Sequence, residues 1–232
     1  MGVRETVEHI TTGGIIAIIR LPVPDDLLSM AEAIQEGGVT TIEFALSGPG
    51  AIQTLDQARS KLGGGVLLGV GTILTPGAAR ESMRAGAQFL AAPNLNPEIV
   101  QIGREAGVPV IPGAFTPTEI VQAWDQGASL VRVFPVGTVG PRYIQDLHGP
   151  LPHIPLVPTG GVSLENAGAF IRAGAVAIGV DAEVVSGNLL TRRDFREITV
   201  RAREFCEAIR QARGSVGRPV PPVKPIEGPD VR

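Results

Sequence analysis

Two charged residues stand inside runs that are otherwise apolar. Glu43 sits in Thr41-Ile42-Glu43-Phe44-Ala45-Leu46, and Arg132 in Leu130-Val131-Arg132-Val133-Phe134-Pro135. Both runs have the length and composition of strands. Successive strand side chains point to opposite faces, so Glu43 opposes Ile42 and Phe44, and Arg132 opposes Val131 and Val133. The apolar set suits a covering layer of helices, which turns the two charges to the other side. An inward charge is costly unless paired, so the economical arrangement brings Glu43 and Arg132 together. Such a pair is either a structural ion pair or the centre of a site for an acidic substrate. A guanidinium can clamp a carboxylate or an enolate oxygen in a fork, and a carboxylate can take a proton from the carbon beside a carbonyl. A guanidinium cannot serve as an amine nucleophile, because it stays protonated at any ordinary pH.

The elements that would position this pair are legible from punctuation. Glycine-containing helix exits recur at Gly37, Gly64, Gly86, Gly107, Gly127, Gly149 and Gly174. Each interval has room for a strand, a loop and a helix of about ten residues, the smallest βα unit. The strands read as Ile15–Arg20, Thr41–Leu46, Leu67–Ile73, Phe89–Asn94, Pro109–Ala114, Leu130–Pro135, Pro155–Thr159 and Ala177–Val180. Thr75-Pro76, Asn96-Pro97 and Thr116-Pro117-Thr118-Glu119 are helix starts, each a capping side chain followed by proline at the first helical position. Eight alternating units without a long polar linker predict an α/β protein with one (βα)8 TIM barrel over residues 1–213. A doubly wound open sheet is the alternative. An amphipathic helix, roughly Thr191–Arg213, closes the barrel. Residues 214–232, rich in Pro and Gly, form a mobile tail.

Composition narrows the function. A net charge of −3 over 232 residues gives no reason to expect nucleic acid or an acidic membrane surface as partner. The single cysteine, Cys206, cannot form an intramolecular disulfide, which agrees with a reducing compartment. The first residues lack the basic-then-apolar layout of a signal peptide, and no apolar run approaches the ~20 residues that span a bilayer. The expectation is a soluble, cytoplasmic protein.

In a barrel of this kind the chemistry sits where strands end. The strand ends deliver Arg20, Glu43 and Ser47, Thr72, Pro93 and Asn94, Pro112-Gly113, Arg132 and Phe134, Thr159-Gly160-Gly161, and Asp181 with Glu183. Glu43, Asp181 and Glu183 could instead hold a divalent cation, although only Glu43 is placed inward by strand alternation. His9, His148 and His153 fall before the barrel, near a helix end and in a loop, where surface roles suit them better than catalysis.

Several of these segments, in order and at matching spacing from about Gly14 to Val185, resemble the 2-keto-3-deoxy-6-phosphogluconate (KDPG) and 4-hydroxy-2-oxoglutarate (KHG) aldolase family. They are Ile16-Ala17-Ile18-Ile19-Arg20, Gly37-Gly38-Val39-Thr40-Thr41-Ile42-Glu43, Gly69-Val70-Gly71-Thr72, Pro112-Gly113-Ala114-Phe115-Thr116-Pro117, Val133-Phe134-Pro135 and Pro158-Thr159-Gly160-Gly161. The resemblance implies a homotrimeric aldehyde-lyase of carbohydrate metabolism, acting without a cofactor on a small 2-oxo acid such as pyruvate. It implies that Glu43 shuttles protons and that Arg20, Thr72, Pro93, Phe134 and Thr159 line the keto-acid site. It implies that Gly160 and Gly161, with the loop bearing Asp181, hold a phosphate at a helix N-terminus; a plain tight turn would use the same glycines.

Three positions depart from the family pattern. The Schiff-base lysine of the Lys-x-Phe-Pro motif is Arg132, and the only lysines are Lys61 and Lys224. Asp181 and Glu183 stand where the family commonly has glycine and serine. Ser47 stands where some members have an arginine. The expected function is therefore an aldolase-family lyase for which Schiff-base chemistry is in doubt, or a non-catalytic barrel that binds an organic anion or serves as an oligomer scaffold.

Overall fold

The computed structural model describes residues 1–20, 26–46, 50–185, 189 and 192–216. Ser47 and residues 217–232 lie outside the described set. Strands and helices alternate as the glycine punctuation predicts: α1 (Val3–Gly13), β1 (Ile15–Ile19), α2 (Leu27–Glu36), β2 (Thr41–Ala45), α3 (Ala51–Leu62), β3 (Leu67–Gly71), α4 (Pro76–Arg84), β4 (Leu90–Ala91), α5 (Pro97–Ala106), β5 (Val110–Ile111), β6 (Gly113–Ala114), α6 (Pro117–Asp125), β7 (Val131–Val133), α7 (Gly140–His148), β8 (Leu156–Pro158), α8 (Leu164–Arg172), β9 (Ile178–Val180) and α9 (Phe195–Val216).

All strand pairings are parallel, as βα alternation requires. They fall into two sheets rather than one continuous eight-stranded sheet: β5-β4-β3-β2-β1-β9 and β6-β7-β8. The expected fifth strand is divided at Pro112, which has no N–H to give to a ladder. A hydrogen bond still runs there from Arg132 N–H to the Pro112 carbonyl, 2.9 Å. A single parallel bridge joins Thr159, just after β8, to Gly179 of β9.

Strand alternation sorts the apolar residues into two clusters. Ile15, Ala17, Ile19, Ile42, Phe44, Leu68, Val70, Val131, Val133, Leu156 and Ile178 pack with the helices. Ile16, Ile18, Ala45, Leu67, Phe89, Ile111, Leu130, Val157 and Ala177 pack on the opposite side. The second cluster also contains Val7 and Ile10 of α1. That helix, which the strand pattern did not announce, covers one end of the inner face. His9 of α1 is part of this contact, its Nε2 lying 3.0 Å from the Thr40 carbonyl.

The three proline-marked helix starts are capped as their sequences predict. Thr75 accepts from Ala78 N–H, Asn96 from Glu98 N–H and Thr116 from Glu119 N–H. The last helix begins at Phe195 instead of Thr191, with Asp194 accepting from Glu197 N–H as an N-cap does. It runs to Val216, so residues 214–216, assigned to a mobile tail from their sequence, are helical.

Candidate active site at the strand ends

Glu43 and Arg132 meet on the inner side. Arg132 donates from Nη1 to Glu43 Oε1 at 3.2 Å and from Nη2 to Oε2, so both carboxylate oxygens face both terminal nitrogens. The two side chains are 0% and 5% exposed, respectively, so the charges depend on one another rather than on water. The pairing expected from strand alternation is therefore realised, with Ile42, Phe44, Val131 and Val133 in the helix-facing cluster. One donor remains over: Arg132 Nε is buried and has no hydrogen-bond partner.

Room for the ion pair comes from glycine. A methyl group built on Gly71 would come within 1.7 Å of Glu43 Oε1. On the other side, one built on Gly179 would come within 2.3 Å of Thr159 Oγ1. Neither glycine is among the site residues expected from the sequence. Their signal was the inward register shared with Glu43 and Thr159, where any side chain would fill the space the charged groups use.

Around this centre the other strand-end residues form smaller groupings. Thr72, directly after Gly71, holds a positive φ of 60°, which is unusual for a β-branched residue and costs on the order of 1–3 kcal/mol. Its hydroxyl accepts from Arg20 Nη1 at 3.4 Å. Phe134, 38% exposed and followed by a cis peptide bond to Pro135, lays its ring against Gly160, where an added methyl would meet the ring edge at 2.8 Å. Gly160 and Gly161 both have positive φ, and Gly161 packs on Gly137 so closely that an added methyl would lie 2.3 Å from its Cα. Thr159 is buried. Pro93 presents its carbonyl to Gly113, leaving no room for a side chain there.

Asp181 accepts from the Ala182 N–H at 2.8 Å through Oδ1. Glu183 contributes its carbonyl to Arg201 Nη1. The cation alternative built on Glu43, Asp181 and Glu183 finds no support: among the described residues no group of three His, Cys, Asp or Glu side chains could hold a metal ion. In the capping box after β6, Glu119 Oε2 accepts from the N–H groups of Thr116 and Phe115, and these bonds hold its carboxyl below the usual range.

Residues 6–201 match the family model described as KDPG and KHG aldolase. The chain belongs to the KDPG and KHG aldolase family. It is 30% identical over 196 residues to the 2-dehydro-3-deoxy-6-phosphogalactonate aldolase of Escherichia coli K12, covering 84% of this chain and 96% of that one. It is also 30% identical over 203 residues to the 2-dehydro-3-deoxy-phosphogluconate aldolase of Pseudomonas aeruginosa, covering 86% and 90%. Among solved structures, the KDPG aldolase of Legionella pneumophila, with pyruvate captured as a covalent carbinolamine, superposes with a TM-score of 0.79 at 25% identity over 88% of this chain and 97% of that one. This family member carries the buried Arg132–Glu43 pair between β7 and β2. Its only described lysine, Lys61, is exposed on α3 and paired with Glu32 at 3.0 Å. Among the described residues no helix is long and apolar enough to cross a membrane.

Proposed function

We propose that this chain binds a small 2-oxo acid such as pyruvate at its strand ends and acts on it as a lyase without forming a Schiff base. The observation that carries this reading is the buried Arg132 Nε, which donates to nothing while both Nη atoms are held by Glu43. Leaving a buried donor unmade costs about 1–3 kcal/mol, which an oxygen of a bound acid would recover. Pairing through the two Nη atoms leaves the Nε edge of the guanidinium for that oxygen. Arg132 then stabilises the charge that develops as the acid enolises. Glu43 takes the proton from the carbon beside the carbonyl. Arg20, Thr72, Pro93, Phe134, Thr159, Gly160 and Gly161 enclose the acid, and Asp181 stands at the far side. A carbinolamine needs an amine; Lys61 lies exposed on α3 paired with Glu32, and Lys224 lies outside the described residues.

The same reading takes the two sheets as one closed (βα)8 barrel. Support comes from the single residue, Pro112, between β5 and β6, and from the Thr159–Gly179 bridge between β8 and β9. It takes the barrel as one domain with residues beyond the last helix as a tail, the assembly as a homotrimer, and the cytoplasm as its compartment. Light scattering tests the assembly: three times the 24.2 kDa monomer mass is expected, and a monomer across micromolar concentrations would refute it.

A binding-only barrel is the second reading, favoured by the closed state of Glu43, whose two oxygens are both engaged. Incubation with pyruvate in deuterated water separates the two. Exchange of the methyl protons, lost in Glu43→Gln, supports catalysis. Calorimetric binding without exchange supports the binding-only barrel. No binding of pyruvate at millimolar concentration sinks both.

A further inference from the structure

The closing helix α9 carries arginine at positions 196, 201, 203, 210 and 213. Arg201 pairs with Glu197, Arg210 pairs with Glu207, and Arg213 donates to the carbonyls of Thr11, Thr12 and Val176. Arg196 and Arg203 form no ion pair or hydrogen bond with any described residue. Both line one cavity of about 610 Å³ between α9 and α2.

The two helices approach closely because their contact residues are small. Thr199 donates its hydroxyl to the Ala33 carbonyl at 3.0 Å, and a methyl built on Gly37 would lie 2.4 Å from the Ala202 Cβ. Ala33 and Thr199 are the buried residues of the cavity lining. Its outer lining is charged, with one sign from each helix. From α2 come Glu32 and Glu36, one turn apart. From α9 come Arg196 and Arg203, two turns or about 10.5 Å apart along the axis, with Val200 between them. Glu32 is held by Lys61 at 3.0 Å, whereas Glu36 has no partner among the described residues. Val200, 37% exposed, and the half-buried Phe195 add apolar surface beside these charges.

Two guanidinia without counter-ions, a free carboxylate on the facing helix and apolar surface beside them define a ligand by its complement. Guanidinium groups take a carboxylate, a carboxylate takes an ammonium, and the apolar surface takes hydrocarbon. The volume lies within the ~300–1,000 Å³ of small-molecule sites, which admits a short peptide. We infer that the α2–α9 cavity binds a small zwitterion of the dipeptide class. Its carboxylate faces Arg196 and Arg203, its ammonium faces Glu36, and its apolar side chains lie on Val200 and Phe195. None of these residues belongs to the Glu43–Arg132 site, so the inference stands apart from the 2-oxo acid reading.

The experiment titrates leucyl-leucine into the full chain while following the Val200 methyl groups by nuclear magnetic resonance. The N-acetylated and C-amidated forms of the same dipeptide are titrated alongside. Wild type is expected to respond saturably at millimolar dipeptide and to bind each capped form roughly tenfold more weakly, the scale of one lost charged hydrogen bond. In the double variant Arg196→Gln/Arg203→Gln, free and amidated dipeptide should bind alike. In Glu36→Gln, free and acetylated dipeptide should bind alike. All three side chains are exposed, so these variants should melt with wild type. No saturable response of Val200 in wild type overturns the inference, and so does a capped form that binds wild type as tightly as the free dipeptide. Variants that discriminate between free and capped forms as wild type does overturn it as well. The capped forms test wild type alone, so the outcome does not depend on how the variants fold.

Discussion

Arg132 and Glu43, 89 residues apart in the chain, hold each other's charge in a setting where neither side chain is more than 5% exposed. Neither could stay there alone. Glu43 belongs to β2 in the larger sheet and Arg132 to β7 in the smaller one, so the pair also links the two.

Breaking the pair from one side should therefore be expensive. Arg132→Met and Glu43→Leu are each expected to lower stability by about 3–5 kcal/mol, because each strands a buried charge. The double variant should cost clearly less than the sum, since it strands none. Chemical denaturation of the four proteins measures this. Additive losses would mean that the two side chains are not energetically coupled.

Arg132→Lys should turn a trap-negative protein into a trap-positive one. Wild type treated with pyruvate and borohydride is expected to gain no adduct mass at a barrel residue, because Arg132 offers no nucleophilic amine. In Arg132→Lys the new amine would lie beside Glu43, Thr159 and Phe134. Desolvation favours its neutral, attacking form while Glu43 opposes it, so a slow but measurable adduct at position 132 is expected. A folded Arg132→Lys protein that never traps pyruvate would show that the surrounding residues no longer support the chemistry.

Thr72 should trade stability for binding. Thr72→Gly relieves the positive φ and is expected to leave melting unchanged or raise stability by up to about 1 kcal/mol. It also deletes the hydroxyl that faces Arg20, so pyruvate binding should weaken by roughly 0.5–1.5 kcal/mol. Loss of stability in Thr72→Gly would mean that the backbone is not strained there.

Glu119 gives a pH dependence of known sign. Its folded carboxyl is held low, chiefly by the Thr116 N–H and then by the Phe115 N–H. A depressed carboxyl stabilises above its unfolded value of 4.5 and loses that contribution as pH falls through the folded value. Glu119→Gln should therefore melt below wild type at pH 7, with the gap narrowing as pH falls below the unfolded value of 4.5. The gap should be small, because the carboxyl is exposed and water screens it. A gap that widens in acid would contradict the capping role.

Much of this was fixed locally and so could be read from residues in order. Glycine exits, proline-marked caps and two-residue alternation placed the strands and helices, because each depends on conformational preferences within a few positions. Alternation also turned Glu43 and Arg132 inward, and the cost of a lone buried charge brought them together. Tertiary structure decided what depends on atoms distant in sequence. The division of the fifth strand at Pro112 follows from which carbonyls face a residue without an N–H. The covering helix α1 follows from apolar surface that only the assembled sheet presents, and the end of α9 is tied down by Arg213, which donates to the carbonyls of Thr11, Thr12 and Val176. The space that Gly71 and Gly179 leave, the strained Thr72 and the unpartnered Arg132 Nε exist only once β2, β3, β7, β8 and β9 converge. No run of neighbouring residues encodes that convergence, because it is set by packing across the whole sheet.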